Sequence, residues 1–344
     1  MKLPFDRVVL VAPHRLHLEN LGSQTEIELE SFGSELPNIV WEQISLPVRA
    51  RKASILFCPT YTGPLIYPGR MVVHNHGIYE ALPSEFSRIA RFRATTIQKH
   101  TARRACRVIA NSIATKADLV KFFHLSESKL ETIYPAAHDI YFERHRPEDI
   151  RAEVLRVLGK DVPYIIFVGK LAKRRHVPNL IRAFSLVREQ HRLPHHLLIV
   201  GPNTTQLDIA ALAGNSDVAA EVVYHPHAEM RSLAYLYAGA QVYALPTIYE
   251  GISWTMFEAM ASGTPVLTVE HPTLVEGGAD SVLSVPTPSV SDLVSGLSRL
   301  LTDPALRHHY SEAGRQRAKL FSWQTVAQQT ACILDRAACS QDIV

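Results

Sequence analysis

The 344-residue sequence contains only four cysteines, Cys58, Cys106, Cys332 and Cys339, and no two form a Cys-x-x-Cys pair. That leaves no disulfide framework and no cysteine-based zinc site, and it suits a reducing compartment. No run approaches eighteen apolar residues, so no membrane-spanning helix is expected. The opening "MKLPFDRVVLVAPHR" has too short an apolar core for a secretory signal, so a cytoplasmic location is expected. There is no G-x-G-x-x-G, which ranks an NAD(P)-linked oxidoreductase low, no G-x-x-x-x-G-K-[ST] and no H-E-x-x-H. Asp-x-Asp is also missing, so no Mg²⁺ or Mn²⁺ held by paired aspartates is expected. Any phosphate bound here must then be held by cations and backbone N–H groups.

The chain is 47% hydrophobic and 20% charged, with a net charge of +3, and is long enough for two domains with separate cores. In the second half, short β-branched runs end in Gly or Pro: "YIIFVG" (164–169), "HLLIVG" (196–201), "EVVYHP" (221–226), "VYALPT" (242–247), "PVLTV" (265–269) and "VLSVP" (282–286). Between them lie helical patterns; Val177, Leu180, Ile181, Phe184 and Val187 make one stripe. Strands apolar on both faces, alternating with helices, predict a parallel sheet covered by helices. The first half reads similarly, with strands at 7–13, 54–60, 71–76, 106–112 and 130–135. The expected fold class is α/β, with two Rossmann-like doubly wound domains facing a cleft. Domains are expected at 1–158 and 159–325, with the charged stretch 141–164 as linker and a final helix (326–344) returning to the first domain.

Ligands of such sheets bind beyond the carboxyl ends of the strands, where Gly169, Gly201 and Pro246 fall. "FVGKLAKRRHVPNL" places Lys170, Lys173, Arg174 and Arg175 between a strand-ending glycine and a helix start. That combination suits a diphosphate, and it equally describes a solvated basic loop. "PTIYEGISWTMFEAMASGTPV" sets Glu250 and Glu258 in an apolar stretch. A helix beginning at Glu250 would separate the two by roughly 12 Å along its axis. One carboxylate could then accept from a sugar and the other from a ribose, with the N–H groups of Gly251, Ile252, Ser253 and Trp254 between them taking phosphate charge. The bland alternative makes Glu250 an exposed N-terminal carboxylate and Glu258 a buried acid paired elsewhere.

"VGKLAKRRHVPNLIRAF", "LIVGP", "LAYLYAGAQVYALPTIYEGISWTMFEAMASGTPVLT" and "FSW" follow one another over roughly Tyr164 to Trp323. In order and spacing they resemble the retaining glycosyltransferases of family 4, which have the GT-B fold. The resemblance implies that Glu250 contacts the transferred sugar, Glu258 the ribose, and Lys170 and Arg175 the diphosphate. Lys170 stands at the family's usual Arg and Arg175 at its usual Lys, which keeps charge but changes donor geometry. Ile252-Ser253 replaces the family's usual Phe-Gly. "MVVHNHGIY" resembles the strand whose terminal His lies beside the sugar; His76, followed by Gly77, fits best, with His74 as competitor. "CRVIANSIATKADLVKFF" resembles a strand–Ser–helix segment, placing Asn111 and Ser112 at a strand end.

The implied activity is metal-independent, retaining transfer of a hexose to a glycan or lipid-linked acceptor in polysaccharide or glycolipid assembly. UDP and glucose are the expected donor parts by family frequency, with no cofactor beyond the donor substrate. Thr247, Tyr249 and the loop after Gly201 are candidates for choosing the donor's base and sugar. The family opens with a strand, a Gly-rich loop and a helix, whereas this chain begins at what resembles the second strand, and "HLENLGSQTE" does not match the loop. That departure keeps open a non-catalytic nucleotide-sugar-binding subunit of a polysaccharide-assembly complex. A sugar phosphorylase or nucleotide-sugar hydrolase is the nearer enzymatic alternative. Residues 86–130 hold ten Lys/Arg against two acids, and a basic helix over 85–107 could meet anionic lipid at the inner face of the cytoplasmic membrane. A solvated face is the alternative; poor aromatic interleaving argues against nucleic acid.

Overall fold

The computed structural model describes residues 5–14, 26–78, 87–213 and 219–339. Among these, twelve strands run in the order β1 (Arg7–Ala12), β2 (Glu26–Ser31), β3 (Leu56–Cys58), β4 (Met71–Asn75), β5 (Arg107–Ala110), β6 (Leu130–Thr132), β7 (Tyr164–Val168), β8 (His196–Val200), β9 (Val222–His225), β10 (Val242–Leu245), β11 (Val266–Val269) and β12 (Leu283–Val285). Every strand pairing is parallel. The chain divides into two compact units, residues 1–134 with 324–344, and residues 135–323.

The first unit holds a four-stranded sheet, β3-β4-β5-β6, and a separate pair, β1-β2. The sequence reading missed β2. Its "EIELES" has the period-two alternation of a half-exposed strand, and two of its acids are paired, Glu28 with Arg7 and Glu30 with Arg49. Residues 17–25 of "HLENLGSQTE" lie outside the described residues. The final helix, Trp323–Cys339, buries Ile333 and Ala337 against Val72, Ile109 and Ile133 of this unit. Its C-terminal carbonyls are capped by Arg70, whose Nη1 donates to Ala337 O at 3.1 Å, as suits a cation at a helix C-terminus.

The basic helix is shorter than 85–107: it runs Arg88–Arg104, and Arg107 already begins β5. Its C-terminal cations have structural work. Lys99 donates to Phe122 O at 3.4 Å, Arg103 to Phe123 O at 3.2 Å, and Arg104 to Tyr67 O. Two of these three carbonyls end the helix Ile113–Phe123, so Lys99 and Arg103 sit where cations offset a helix C-terminus. No helix among the described residues is long and apolar enough to cross a membrane.

The second unit is a six-stranded sheet in the order β12-β11-β10-β7-β8-β9. Strands β7, β8, β10 and β11 are buried along their whole length, which is why they read as unbroken apolar runs. Helix Val177–His191 buries Val177, Leu180, Ile181, Phe184 and Val187, the stripe expected from its spacing. Residues 135–158, assigned above to the first domain and partly to a linker, pack within this unit. Helix Pro147–Leu158 lies against helix Met230–Gly239, and a Cβ at Gly239 would meet Ile150 at 2.9 Å and Val154 at 3.3 Å. The charges of 141–164 cover the outer face of that helix and hide its amphipathic inner one. Strand order reverses between β10 and β7, so the loops that follow them diverge at a switch point, where open α/β sheets bind ligands.

Candidate active site

The loop after β7 is shaped by two glycines that no other residue could replace without strain. Gly169 has φ +140°, and a Cβ there would stand 1.9 Å from Arg175 Nη1. Gly201, after β8, has φ +135°, and its Cβ would stand 2.3 Å from Gly169 O. The two turns are stacked: Gly169 N–H donates to Val200 O at 2.8 Å and Gly201 N–H to His225 O at 2.9 Å. The absent Cβ of Gly169 lets the Arg175 guanidinium fold back over the end of β7.

Glu250, in the loop after β10, is buried rather than exposed. Arg175 Nε donates to Glu250 Oε1 at 2.9 Å, and Arg174 Nη2 lies 3.9 Å from Glu250 Oε2. The three side chains are 10–12% exposed, so the carboxylate's charge is met by two guanidiniums in a region with little water. Burial works against the charge of Arg175, but the adjoining Glu250 outweighs it and holds the guanidinium above its usual range. Thr273 Oγ1 donates to Glu250 O at 3.0 Å, and Thr247 Oγ1 to Tyr249 O at 3.0 Å. Lys170 is exposed, and its carbonyl accepts from Arg175 Nη1 at 3.3 Å. The structure thus brings together Gly169, Lys170, Arg175, Gly201 and Glu250. The sequence reading noted Arg174 only as one of four loop cations and did not single out Thr273.

The helix after this loop starts later than expected. It spans Trp254–Ser262, with Ser253 as N-cap accepting from Met256 N–H at 3.2 Å. Gly251, Ile252 and Ser253 therefore lie in the turn before the helix, and the axial estimate of roughly 12 Å does not apply, because only Trp254 to Glu258 rise helically. Glu258 sits just over one turn in. It is partly buried and accepts from Tyr237 Oη at 3.2 Å. Burial raises its carboxyl from the ordinary range to about 7, with the Tyr237 hydrogen bond pulling the other way. Tyr237 is fully buried in a tyrosine cluster, its ring 5.8 Å from Tyr141 and 5.7 Å from Tyr243.

In the first unit, His76 follows β4. Its Nε2 donates to Pro59 O at 2.8 Å, so this nitrogen carries the proton. Burial lowers its pKa, and the Pro59 contact opposes that. His74 stands two residues earlier on β4; burial chiefly, and the His76 ring 4.2 Å away, lower it to about 3, leaving a neutral ring. Asn111 Nδ2 donates to His76 O at 3.2 Å, and Ser112 caps helix Ile113–Phe123 through Thr115 N–H. Among the described residues no cluster of three His, Cys, Asp or Glu could hold a metal.

Two parallel-stranded units with these loops define a two-domain α/β architecture, and its structural neighbours have the GT-B fold. Anabaena HepE in complex with UDP-glucose superposes with a TM-score of 0.72 at 17% identity, covering 89% of this chain and 85% of that one. WaaG, a glycosyltransferase involved in lipopolysaccharide biosynthesis, gives 0.68 at 19%, covering 91% and 90%. The family model "Glycosyl transferases group 1" matches residues 151–317, and "Glycosyltransferase Family 4" matches residues 8–139. Both models describe glycosyltransferases, and each covers less than half of the chain. Similar curated proteins include the MMP alpha-(1->4)-mannosyltransferase of Mycolicibacterium hassiacum, 29% identical over 70% of this chain and 56% of the relative. The O-antigen chain mannosyltransferase B of Escherichia coli is 25% identical over 65% and 58%. The chain thus spans somewhat more than half the length of these curated relatives.

Proposed function

We propose that the protein transfers a hexose, with retention at the anomeric carbon and without a metal, from a nucleoside-diphosphate sugar to a glycan or lipid-linked acceptor. The observation that carries this reading is the meeting of Arg175, Glu250 and Gly169 where the loops after β7 and β10 part. A diphosphate laid there would find Lys170 and Arg175 as counter-charges and the start of helix Trp254–Ser262 beside them. Glu258 would accept from the ribose. Glu250 and His76 would orient the sugar. The acceptor oxygen attacks the anomeric carbon on the leaving-group side as the bond to the diphosphate oxygen breaks. The diphosphate takes the acceptor's proton, and the growing negative charge is what Lys170 and Arg175 stabilise.

UDP-glucose is the first donor to try; the HepE complex contains it, and the named mannosyltransferases make mannose conjugates the second. The setting proposed is the cytoplasmic face of a membrane at which polysaccharide or glycolipid is assembled. Calorimetry with UDP, GDP, ADP and their glucose or mannose conjugates, with and without EDTA, tests the donor site. Micromolar binding of one nucleotide, unchanged by EDTA and lost in Glu258→Ala, is expected. No binding at millimolar concentration would overturn the reading. Donor consumption with an added acceptor separates a transferase from a non-catalytic binder, and phosphate or water as acceptor separates it from a phosphorylase or hydrolase.

A further inference from the structure

Arg174 is the buried charge that the proposed reaction does not use. Its backbone and side chain both hold the loop that carries Glu250: Ile248 N–H donates to Arg174 O at 2.9 Å, and Arg174 Nε donates to Tyr249 O at 3.2 Å. Its Nη2 lies 3.9 Å from Glu250 Oε2, an ionic contact rather than a hydrogen bond, while Arg175 occupies Oε1. Two buried guanidiniums thus face the one carboxylate of Glu250.

If Arg175 turned to a diphosphate, the Glu250 carboxylate would lose its hydrogen bond from a guanidinium and keep the longer one from Thr247 Oγ1, 3.4 Å from Oε1. Arg174 stands on the other oxygen. It is fixed by backbone contacts that do not depend on the ligand, since Tyr249 O and Ile248 N–H belong to the loop itself. We propose that Arg174 is the positioning residue for Glu250: it straps the Ile248–Glu250 loop to the β7 loop. It also supplies the counter-charge that keeps Glu250 aimed at the donor's sugar when Arg175 is given over to the diphosphate. This rests on the nucleotide-sugar reading above, and it assigns Arg174 to recognition of the hexose rather than of the nucleotide.

The test is calorimetry of each nucleotide and its sugar conjugate, UDP with UDP-glucose and GDP with GDP-mannose, on wild type, Arg174→Gln, Arg174→Lys and Arg175→Gln, with thermal unfolding alongside. The quantity read is the affinity ratio of conjugate to free nucleotide. Loss of a buried charge partner predicts that Arg174→Gln lowers that ratio about tenfold while nucleotide affinity changes by less than about threefold. Arg174→Lys is expected to restore part of the ratio, because it returns the charge without the planar donor fork. Arg175→Gln is expected to weaken free nucleotide and conjugate together. An unchanged ratio in Arg174→Gln overturns the proposal. So does an equal loss of both ligands in Arg174→Gln and Arg174→Lys with a fall in Tm, which would make Arg174 a structural strap only. Wild type that binds a nucleotide without preferring its conjugate overturns the sugar-reading role of Glu250 and that of Arg174 with it. Wild type that binds no nucleotide overturns the donor-site reading itself, and is told apart from the others by that result.

Discussion

Tyr237 Oη donates to Glu258 Oε2 at 3.2 Å, and the tyrosine beneath that bond is fully buried. One neutral hydrogen bond is thin compensation for a carboxylate drawn out of water, and burial lifts its pKa to about 7. The folded chain therefore keeps a proton that the unfolded chain has already released between the ordinary carboxylate range, near 4.5, and about 7. Stability from this group is fully present below that window and is lost as pH rises through it. Glu258→Gln removes the ionisable group and keeps the Tyr237 contact. It should stabilise the protein by about 2 kcal/mol at pH 8 and by almost nothing at pH 4.5, read from urea unfolding at both values. Equal gains at the two pH values would show that carboxylate burial is not the cause.

The same group predicts how nucleotide binding responds to pH. Ribose hydroxyls donate to a carboxylate more strongly than to a neutral acid, so affinity should climb by about tenfold between pH 6 and pH 8. In Glu258→Gln the affinity should be low and flat across that range. A wild-type profile as flat as the variant's would remove Glu258 from the ribose contact. Taken with the stability result, this is a site residue that costs the fold something at the pH where the ligand needs it.

Lys170 and Arg175 are expected to behave differently although both are assigned to the diphosphate. Lys170 is exposed and has no ion pair among the described residues that the fold depends on. Lys170→Ala should leave stability within about 0.5 kcal/mol of wild type and weaken nucleotide binding. Arg175 is buried on Glu250, so Arg175→Ala strands part of a buried charge and should cost about 2–4 kcal/mol besides binding. Calorimetric affinity plotted against unfolding free energy separates the two. If Arg175→Ala proved as stable as Lys170→Ala, the ion pair with Glu250 would have no energetic standing.

The second unit was the more legible part of the sequence because its strands are buried on both faces and its helix stripe is regular; β7, β8, β10 and β11 appear where their apolar runs stand. Glu250 was found by its motif, but its burial was not, since spacing cannot tell a carboxylate at a helix mouth from one clamped by arginines brought from another strand's loop. The sequence could have pointed to Arg174 only through its place in the run of cations, where nothing marks which one turns inward. The late start of helix Trp254–Ser262 was readable in Ser253, an N-cap residue type four before Phe257, and was passed over because the motif drew the helix back to Glu250. In the first unit, charge hid two features: nothing in the cations of Arg88–Arg104 marked Lys99, Arg103 and Arg104 as donors to carbonyls, and the acids of β2 hid a strand.

The stacked turns at Gly169 and Gly201 give the sharpest steric expectation. At Gly201 an added Cβ would stand 2.3 Å from Gly169 O and 2.7 Å from Gly169 C. Both are backbone atoms, so no side-chain rotation relieves the clash, and φ +135° is itself a region that L side chains rarely adopt. Gly201→Ala should cost about 3 kcal/mol and push the Gly169 turn away from β8. At Gly169 the added Cβ would instead meet the Arg175 guanidinium at 1.9 Å, and that group is the end of a flexible side chain. Gly169→Ala should therefore displace Arg175 from Glu250 and weaken nucleotide binding by more than its cost in stability accounts for. Unfolding and nucleotide titrations on both variants check this. If Gly201→Ala were as stable as wild type, the close stacking of the two turns would be wrong, and with it the cradle in which the diphosphate is placed.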